Sequence, residues 1–437
     1  MSVLSRARDR RVTSPLGQPD APARHSRKRG GLGNCWKRAV LRRLDRFAGG
    51  RIVLSDAAEQ HELGELGDPP LEAVVEVLDG RFYRQLALGG HLGAAEAYLR
   101  GWWQCDDLVA LCRMFCRDMD ASWRMEGGVA RLGAWLGRFV HALRRNTLSG
   151  SRRNIAAHYD LGEDFFSLFL DPTMAYSCAV FPRPDSTLEE ASREKFDRAC
   201  RALRLGPGER LLEIGSGWGG LALHAAEQYG CRVTTVTISR RQFDYVRRLI
   251  DQRGLVDRVE VRLEDYRRVE GTFDKLVSIE MIEAVGWQYL DTFFGVCSRC
   301  LKADGAMFLQ AILMPDQRYD RHRRSVDFIR YYVFPGGCLP SLGAICRALG
   351  RATDLQIVAL DDITAHYAET LAQWRHRMVA NTDRVLALGL GEELLRLWEF
   401  YFCYCEAGFR EHVIADAQML LAKPGFARRW GTEPATP

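Results

Sequence analysis

The chain has 437 residues with 47% hydrophobic and 27% charged residues and a net charge of +5, an ordinary globular balance with room for two domains. It contains no run near the roughly 18 apolar residues of a membrane-spanning helix and no apolar leader segment at its N-terminus, so a cytoplasmic protein with at most peripheral membrane contact is expected. Its 13 cysteines form no paired zinc-ribbon spacing; the one C-x-x-C, Cys297 and Cys300, falls in a helix-like stretch, so reduced thiols and no metal are expected.

The first 33 residues are rich in Arg, Ser, Pro and Gly, as in "SRARDRR" (Ser5 to Arg11), and read as a disordered basic tail. Such a tail suits an anionic partner. Residues 34–148 mix strand-like pieces ("RIVLSD", "LEAVVEVLDG") with amphipathic ones ("GAAEAYLRGWW", "LVALCRMFCRDM") and end in the basic stretch "LGRFVHALRRN". They read as a smaller N-terminal α+β domain.

From residue 149 to 428 the rhythm changes to strand and helix in alternation, with residues 429–437 left as a tail. The strand-like runs are "RLLEIGS" (210–216), "RVTTVTIS" (232–239), "RVEVRLED" (258–265), "FDKLVSIE" (273–280) and "GAMFLQAIL" (305–313). Near-continuous apolar strands separated by helices predict an α/β fold: a doubly wound parallel sheet covered on both faces. Its ligand belongs at the carboxyl ends of the strands.

The first strand runs into the glycine loop of "LLEIGSGWGGLAL" (Leu211 to Leu223). No Lys-Ser or Lys-Thr follows, which excludes a P-loop. A dinucleotide site wants a carboxylate at the end of the second strand, and "VTTVTISRRQ" offers Thr237, Ser239 and Gln242 instead. The carboxylate precedes the loop, at Glu213. This E-x-G-x-G-x-G arrangement resembles the first motif of class I S-adenosylmethionine methyltransferases, in which glycines permit close backbone approach and the acid can help hold a cationic amino-acid end. The third strand ends in "LEDY", giving Glu264 and Asp265 a place beside a bound base.

The substrate class comes from a wider resemblance. "NIAAHYDLGEDFFSLFLDPTMAYSCAVF" (Asn154 to Phe181), "IGSGWGG", "VTISRRQ", "SIEMIEAVG" (Ser278 to Gly286), "FIRYYVFPGGCLPS" (Phe328 to Ser341) and "HYAETLAQW" (His366 to Trp374) occur in this order. Together they resemble the cyclopropane-fatty-acyl-phospholipid synthase family over about residues 150–425. That resemblance implies methyl transfer from S-adenosylmethionine to the cis double bond of an unsaturated phospholipid acyl chain, then a carbocation, then proton loss. Residues 34–148 would be the family's lipid-binding-type N-terminal domain. The chemistry requires an aligned alkene, a dry aromatic pocket and a base. Aromatic residues cluster at Tyr159, Phe165, Phe166, Phe169, Tyr176 and Phe181, and again at Phe328, Tyr331, Tyr332 and Phe334.

Carried over by motif, the cofactor residues are Tyr176, Ser177, Glu213, Gly215, Ser216, Gly217, Gly219, Thr237, Ser239, Gln242, Asp265 and Tyr266. The resemblance also implies a bicarbonate ion as base, at Cys178, Glu283, Gln310, Ile312 and Tyr367. Cys405 matches a family cysteine, and direct methyl transfer gives it no covalent task. The best-known bacterial enzymes have His at the Gln310 position, Glu-His at Glu283-Ala284 and a small residue at Glu406. Glu406 is accordingly a second candidate for the base. Similar Gln-containing sequences look like a branch that also makes methyl- or methylene-branched chains, so the product stays open between ring and branch. A small-molecule methyltransferase and a non-catalytic lipid-binding module are the other readings; the first would not need the N-terminal domain, and the intact loop opposes the second. The partners expected are a membrane phospholipid and an anionic membrane surface at the inner face. No basic, aromatic-interleaved platform for nucleic acid is present. A homodimer is compatible with all of this, and no residue pattern selects the oligomeric state.

Overall fold

The computed structural model describes residues 32–57, 59–118 and 161–427. Residues 1–31 of the basic tail, "LGRFVHALRRN", Tyr159 and the C-terminal tail lie outside them, while Leu32 and Gly33 begin the helix Leu32–Leu44. The chain divides into two compact units, one of residues 1–134 and 391–411, the other of residues 135–390 and 412–437.

In the first unit, β1 (Arg51–Ser55), β2 (Gln60–Leu63), β3 (Glu72–Val77) and β4 (Trp103–Cys105) form a sheet in the order β2-β1-β3-β4. β3 alternates exposed and buried residues, turning Ala73, Val75 and Val77 inward. The amphipathic stretches fold as the helices Arg81–Leu99, kinked at Gly90, and Leu108–Arg117, capped by the Asp107 side chain. The helix Gly391–Arg410 also belongs here, although in sequence it lies beyond most of the α/β region. The Arg113 and Arg117 guanidinium groups hold Glu411 at 2.7 and 2.9 Å, and the Tyr98 hydroxyl donates to Glu399 at 2.8 Å.

In the second unit, β5 (Arg210–Ile214), β6 (Arg232–Thr237), β7 (Val259–Leu263), β8 (Phe273–Ile279) and β9 (Leu301–Leu313) follow the predicted runs closely. β10 (Gln356–Asp362) and β11 (Ala415–Ala422) complete a seven-stranded sheet in the order β10-β11-β9-β8-β5-β6-β7. The first five strands pair in parallel, whereas β11 and β10 add antiparallel. The expected doubly wound sheet thus carries one strand, β11, antiparallel to its neighbours β9 and β10. β10 is a largely exposed edge strand, and β11 ("ADAQMLLA") interrupts its apolar residues with Asp and Gln, so neither carries a strong strand pattern. Neighbouring residues such as Leu211 and Leu212, or Met307 and Phe308, enter separate apolar clusters on opposite faces of the sheet. The helices Leu188–Ala202, Gly220–Tyr229 and Leu290–Cys300 supply apolar residues to these layers, and Cys297 and Cys300 are buried there.

Candidate active site

The loop after β5 is shaped for a ligand. Gly215 and Ser216 donate their N–H groups to Val236 O at 3.0 Å, pinning the loop to the end of β6. Gly217 has a φ of +48° and open space where a Cβ would stand, so a ligand can approach the backbone there. Gly219 starts the next helix at φ +88° and packs close on Val246. At the tip of β6, the Thr237 hydroxyl donates to Gln242 Oε1 at 2.8 Å, while Ser239 caps the helix Arg240–Gln252. Asp265 caps the turn after β7 and forms a two-pronged ion pair with Arg267; Tyr266 packs on Phe293. This gathers most of the predicted cofactor residues at the carboxyl ends of adjacent parallel strands.

Glu213 is buried within β5 and accepts a hydrogen bond from the Thr235 hydroxyl on β6. Burial pushes its carboxyl up to about 8, only partly offset by that bond. A cationic group brought near would favour the ionised form.

Opposite the loop, a cluster of carboxyl groups gathers after β8. Glu280 follows β8 directly, and Glu283 lies three residues on, in the short helical turn Ile282–Ala284. Met281 between them touches the glycine loop: a Cβ on Gly215 would come within 2.9 Å of its side chain. The Ser278 hydroxyl also donates to Ile214 O at 3.0 Å, so loop and cluster share one wall.

Glu280, which the sequence reading did not single out, stands at the centre of this cluster. Its Oε1 accepts from the Cys178 N–H at 2.7 Å and from Gln310 Nε2 at 2.8 Å. Its Oε2 accepts from the Tyr367 hydroxyl at 2.6 Å. Its backbone stands in the left-handed region at φ +47°, a strained geometry for a non-glycine residue that costs of order 1–3 kcal/mol and is found where function demands it. Gln310 is itself oriented: Gln418, its partner across β9 and β11, donates to Gln310 Oε1 at 2.9 Å, which turns Nε2 toward Glu280. The signal was the E-x-x-E spacing in "SIEMIEAVG", where the acid ends its strand.

The remaining predicted residues join the same network. Ile312 N–H donates to Glu283 Oε1 at 2.6 Å, while the buried Glu283 Oε2 has no partner among the described residues. Burial, then the charge of Glu280, pushes the Glu283 carboxyl up to about 8. Asp416 on β11, fully buried, is held well above the carboxylate range by burial and by Glu280 and Glu283. Lys195 is buried too; its ammonium donates to Ser177 Oγ at 2.6 Å, and burial lowers its pKa against the opposing pull of Glu280, Asp171 and Asp416. Cys178 contributes its backbone N–H, and its buried thiol is raised well above the usual range, so it is not a thiolate nucleophile. Cys405 and Glu406 belong to the first unit, where Glu406 is buried and accepts from Arg410 Nε at 2.9 Å on its own helix.

Aromatic rings link the two halves. Trp218 in the loop lies 5.6 Å from Phe166, Phe166 lies 5.2 Å from Tyr176, and Tyr176 lies 5.2 Å from Trp374, which reaches Tyr367 at 6.3 Å. The second aromatic segment, Phe328 to Phe334, is tied in by Cys338 N–H, which donates to Glu283 O at 2.8 Å.

The raised carboxyls fix how stability depends on pH. Glu283 binds its proton more tightly folded than unfolded, so it disfavours the folded state progressively as pH climbs from its ordinary value of 4.5 to about 8, then no further. The Glu283→Gln variant removes that proton. Across pH 5–8 its unfolding free energy is expected to fall less steeply than that of the parent protein, by up to about 1.4 kcal/mol per pH unit. Denaturant titrations across that range check this; parallel slopes would refute it.

A glycine cradle, a buried acid and an adjoining acidic, aromatic-lined wall are the parts of a methyl-transfer site, and sequence comparison identifies their kind. Residues 147–419 match the family described as mycolic acid cyclopropane synthetase. The chain belongs to that family. It is 37% identical over 397 residues to a tuberculostearic acid methyltransferase, UfaA1, of Mycobacterium tuberculosis, covering 88% of this chain and 90% of that one. It is 34% identical over 356 residues to the cyclopropane-fatty-acyl-phospholipid synthase of Escherichia coli K12, covering 80% and 88%. Among solved structures it resembles the mycolic acid cyclopropane synthase CmaA1 complexed with SAH and CTAB, with TM-score 0.59, 34% identity, and coverage of 62% of this chain and 98% of that one. This family member is an S-adenosylmethionine-dependent methyltransferase with the class I fold. The open backbone at Gly217, beside buried Glu213 and the polar tip of β6, fits that cofactor. When bound, the cofactor supplies an electrophilic methyl group. A bicarbonate ion fits poorly, because Cys178, Gln310 and Tyr367 already donate to Glu280 and Ile312 to Glu283.

Proposed function

We propose that this methyltransferase acts on the cis double bond of an unsaturated phospholipid acyl chain, through a carbocation that then loses a proton, to give a cyclopropane ring. The observation that carries this reading is the acid cluster set against the glycine loop across Met281 and connected to it by aromatic rings. An alkene is a weak nucleophile, so its reaction needs alignment and dryness. Ring faces stabilise a carbocation, as they do other cations. A small-molecule methyltransferase acting at nitrogen or oxygen has no such need. In this reading Tyr176, Ser177, Thr237, Ser239, Gln242, Asp265 and Tyr266 hold the cofactor with the loop, and Cys178, Gln310, Ile312 and Tyr367 order the acids.

A methylene-branched product would follow from the same first step if the positive charge moved by a hydride shift and a proton then left the new methyl group; a methyl-branched chain would further need a separate two-electron reduction of that alkene. The relatives favour neither outcome, one being named for tuberculostearic acid methylation and others for cyclopropane formation. Mass spectrometry of fatty acids from cells expressing the protein tests both. Addition of one CH2 with loss of the double bond indicates a ring. The same addition with an alkene that still hydrogenates under mild conditions indicates a methylene branch. No addition to any acyl chain refutes the proposal.

The substrate places the enzyme at a membrane surface. No described helix is long and apolar enough to cross a membrane. The arginine-rich first 33 residues suit the anionic inner leaflet, where each basic residue contributes on the order of 1 kcal/mol. Deleting residues 1–33 is expected to weaken binding to anionic vesicles by tenfold or more, while turnover of detergent-dispersed substrate falls less. Equal vesicle binding in a flotation assay would refute this role.

A further inference from the structure

We infer that Glu280 is the general base of this enzyme and that its carboxylate stands where the family resemblance places a bicarbonate ion. The inference rests on the acyl-chain reading above. Of the residues which that resemblance assigns to the anion, three donate to Glu280: Cys178 through its backbone N–H, Gln310 through its amide and Tyr367 through its hydroxyl, at 2.6 to 2.8 Å. Ile312 donates to Glu283 instead. The donors that would hold a free anion are thus satisfied by side chains of the protein.

Charge leads to the same conclusion. Glu280, Glu283 and Asp416 act on one another electrostatically. A further anion among them would face like-charge repulsion in a poorly solvated place. The neighbouring acids are raised, by burial first and then by Glu280. The cluster is therefore arranged to carry little negative charge beyond that of the carboxylate receiving the donors. Glu280 holds a left-handed backbone at φ +47° just after β8, and its N–H donates to Gln310 O at 2.9 Å, so the residue whose amide reaches its carboxylate also fixes its backbone.

The step balances without an added reagent. After methyl transfer the acyl chain is a carbocation. One of its C–H bonds breaks and the proton passes to a Glu280 oxygen. The electron pair left behind closes the ring, or forms an alkene if a branch is made. Glu280, now a neutral acid, releases its proton to solvent before the next turnover.

The test compares the full-length parent with Glu280→Gln and Glu280→Gly on vesicles of unsaturated phospholipid. Buffers are stripped of carbon dioxide, with or without added sodium bicarbonate, and isotopically labelled bicarbonate serves for direct binding by NMR. The parent is expected to turn over equally with and without bicarbonate and to show no bound label. Glu280→Gln should lose about 10²–10⁴-fold in kcat while still binding S-adenosylhomocysteine. Glycine suits the left-handed backbone and vacates the carboxylate's place, so Glu280→Gly should be nearly inactive alone, bind the label and regain at least tenfold activity with bicarbonate. Bicarbonate dependence of the parent overturns the inference even if neither variant folds, and so does full activity of Glu280→Gln. A parent that methylates no acyl chain under any condition overturns the acyl-chain reading, and the inference with it.

Discussion

Gly215→Val is expected to abolish measurable S-adenosylhomocysteine binding and to lower the melting temperature by several degrees. Gly215 has a φ of +99°, where a β-branched residue is strained by of order 1–3 kcal/mol. A Cβ there would also stand 2.9 Å from the Met281 side chain and 3.1 Å from its Cβ. Met281 cannot yield freely, because Glu280 before it is fixed by three hydrogen bonds and Glu283 after it by the Ile312 N–H. Overpacking of this kind adds about 1–3 kcal/mol. The loop can relieve the clash only by giving up the bonds from Gly215 and Ser216 to Val236 O, which place it for the cofactor. Calorimetry with S-adenosylhomocysteine, beside a thermal melt, checks both effects. Retained binding would mean that the contact between loop and acid cluster is dispensable.

That contact marks the limit of what could be read from the sequence. β5 to β9 were legible because buried parallel strands are near-continuous apolar runs, and their alternation with helices fixes the sheet. The cofactor loop was legible because glycines at such spacing have few other uses. β10 and β11 were not, since an exposed edge and a strand carrying Asp416 and Gln418 lack that pattern. The loss extends into the site, because Gln418 orients Gln310 and Asp416 completes the acid cluster. Glu280 was passed over for a different reason. The resemblance assigned roles to the residues that surround it, and only the fold shows their donors meeting on one carboxylate.

Tyr367→Phe is expected to lower kcat by about 10–100-fold with little change in S-adenosylhomocysteine affinity. The substitution keeps the ring and its packing against Trp374, at 6.3 Å between centroids, so the site keeps its shape. It removes the hydroxyl that donates to Glu280 Oε2 at 2.6 Å. A hydrogen bond to a charged group is worth about 1.5–3 kcal/mol, and each 1.4 kcal/mol or so in the barrier is tenfold in rate. The loss should appear in kcat, while the KM for phospholipid and the melting temperature stay near those of the parent. A residue that only packs would change stability or cofactor affinity instead. An unchanged kcat would remove Tyr367 from the network around Glu280 and weaken the case for Glu280 as its centre.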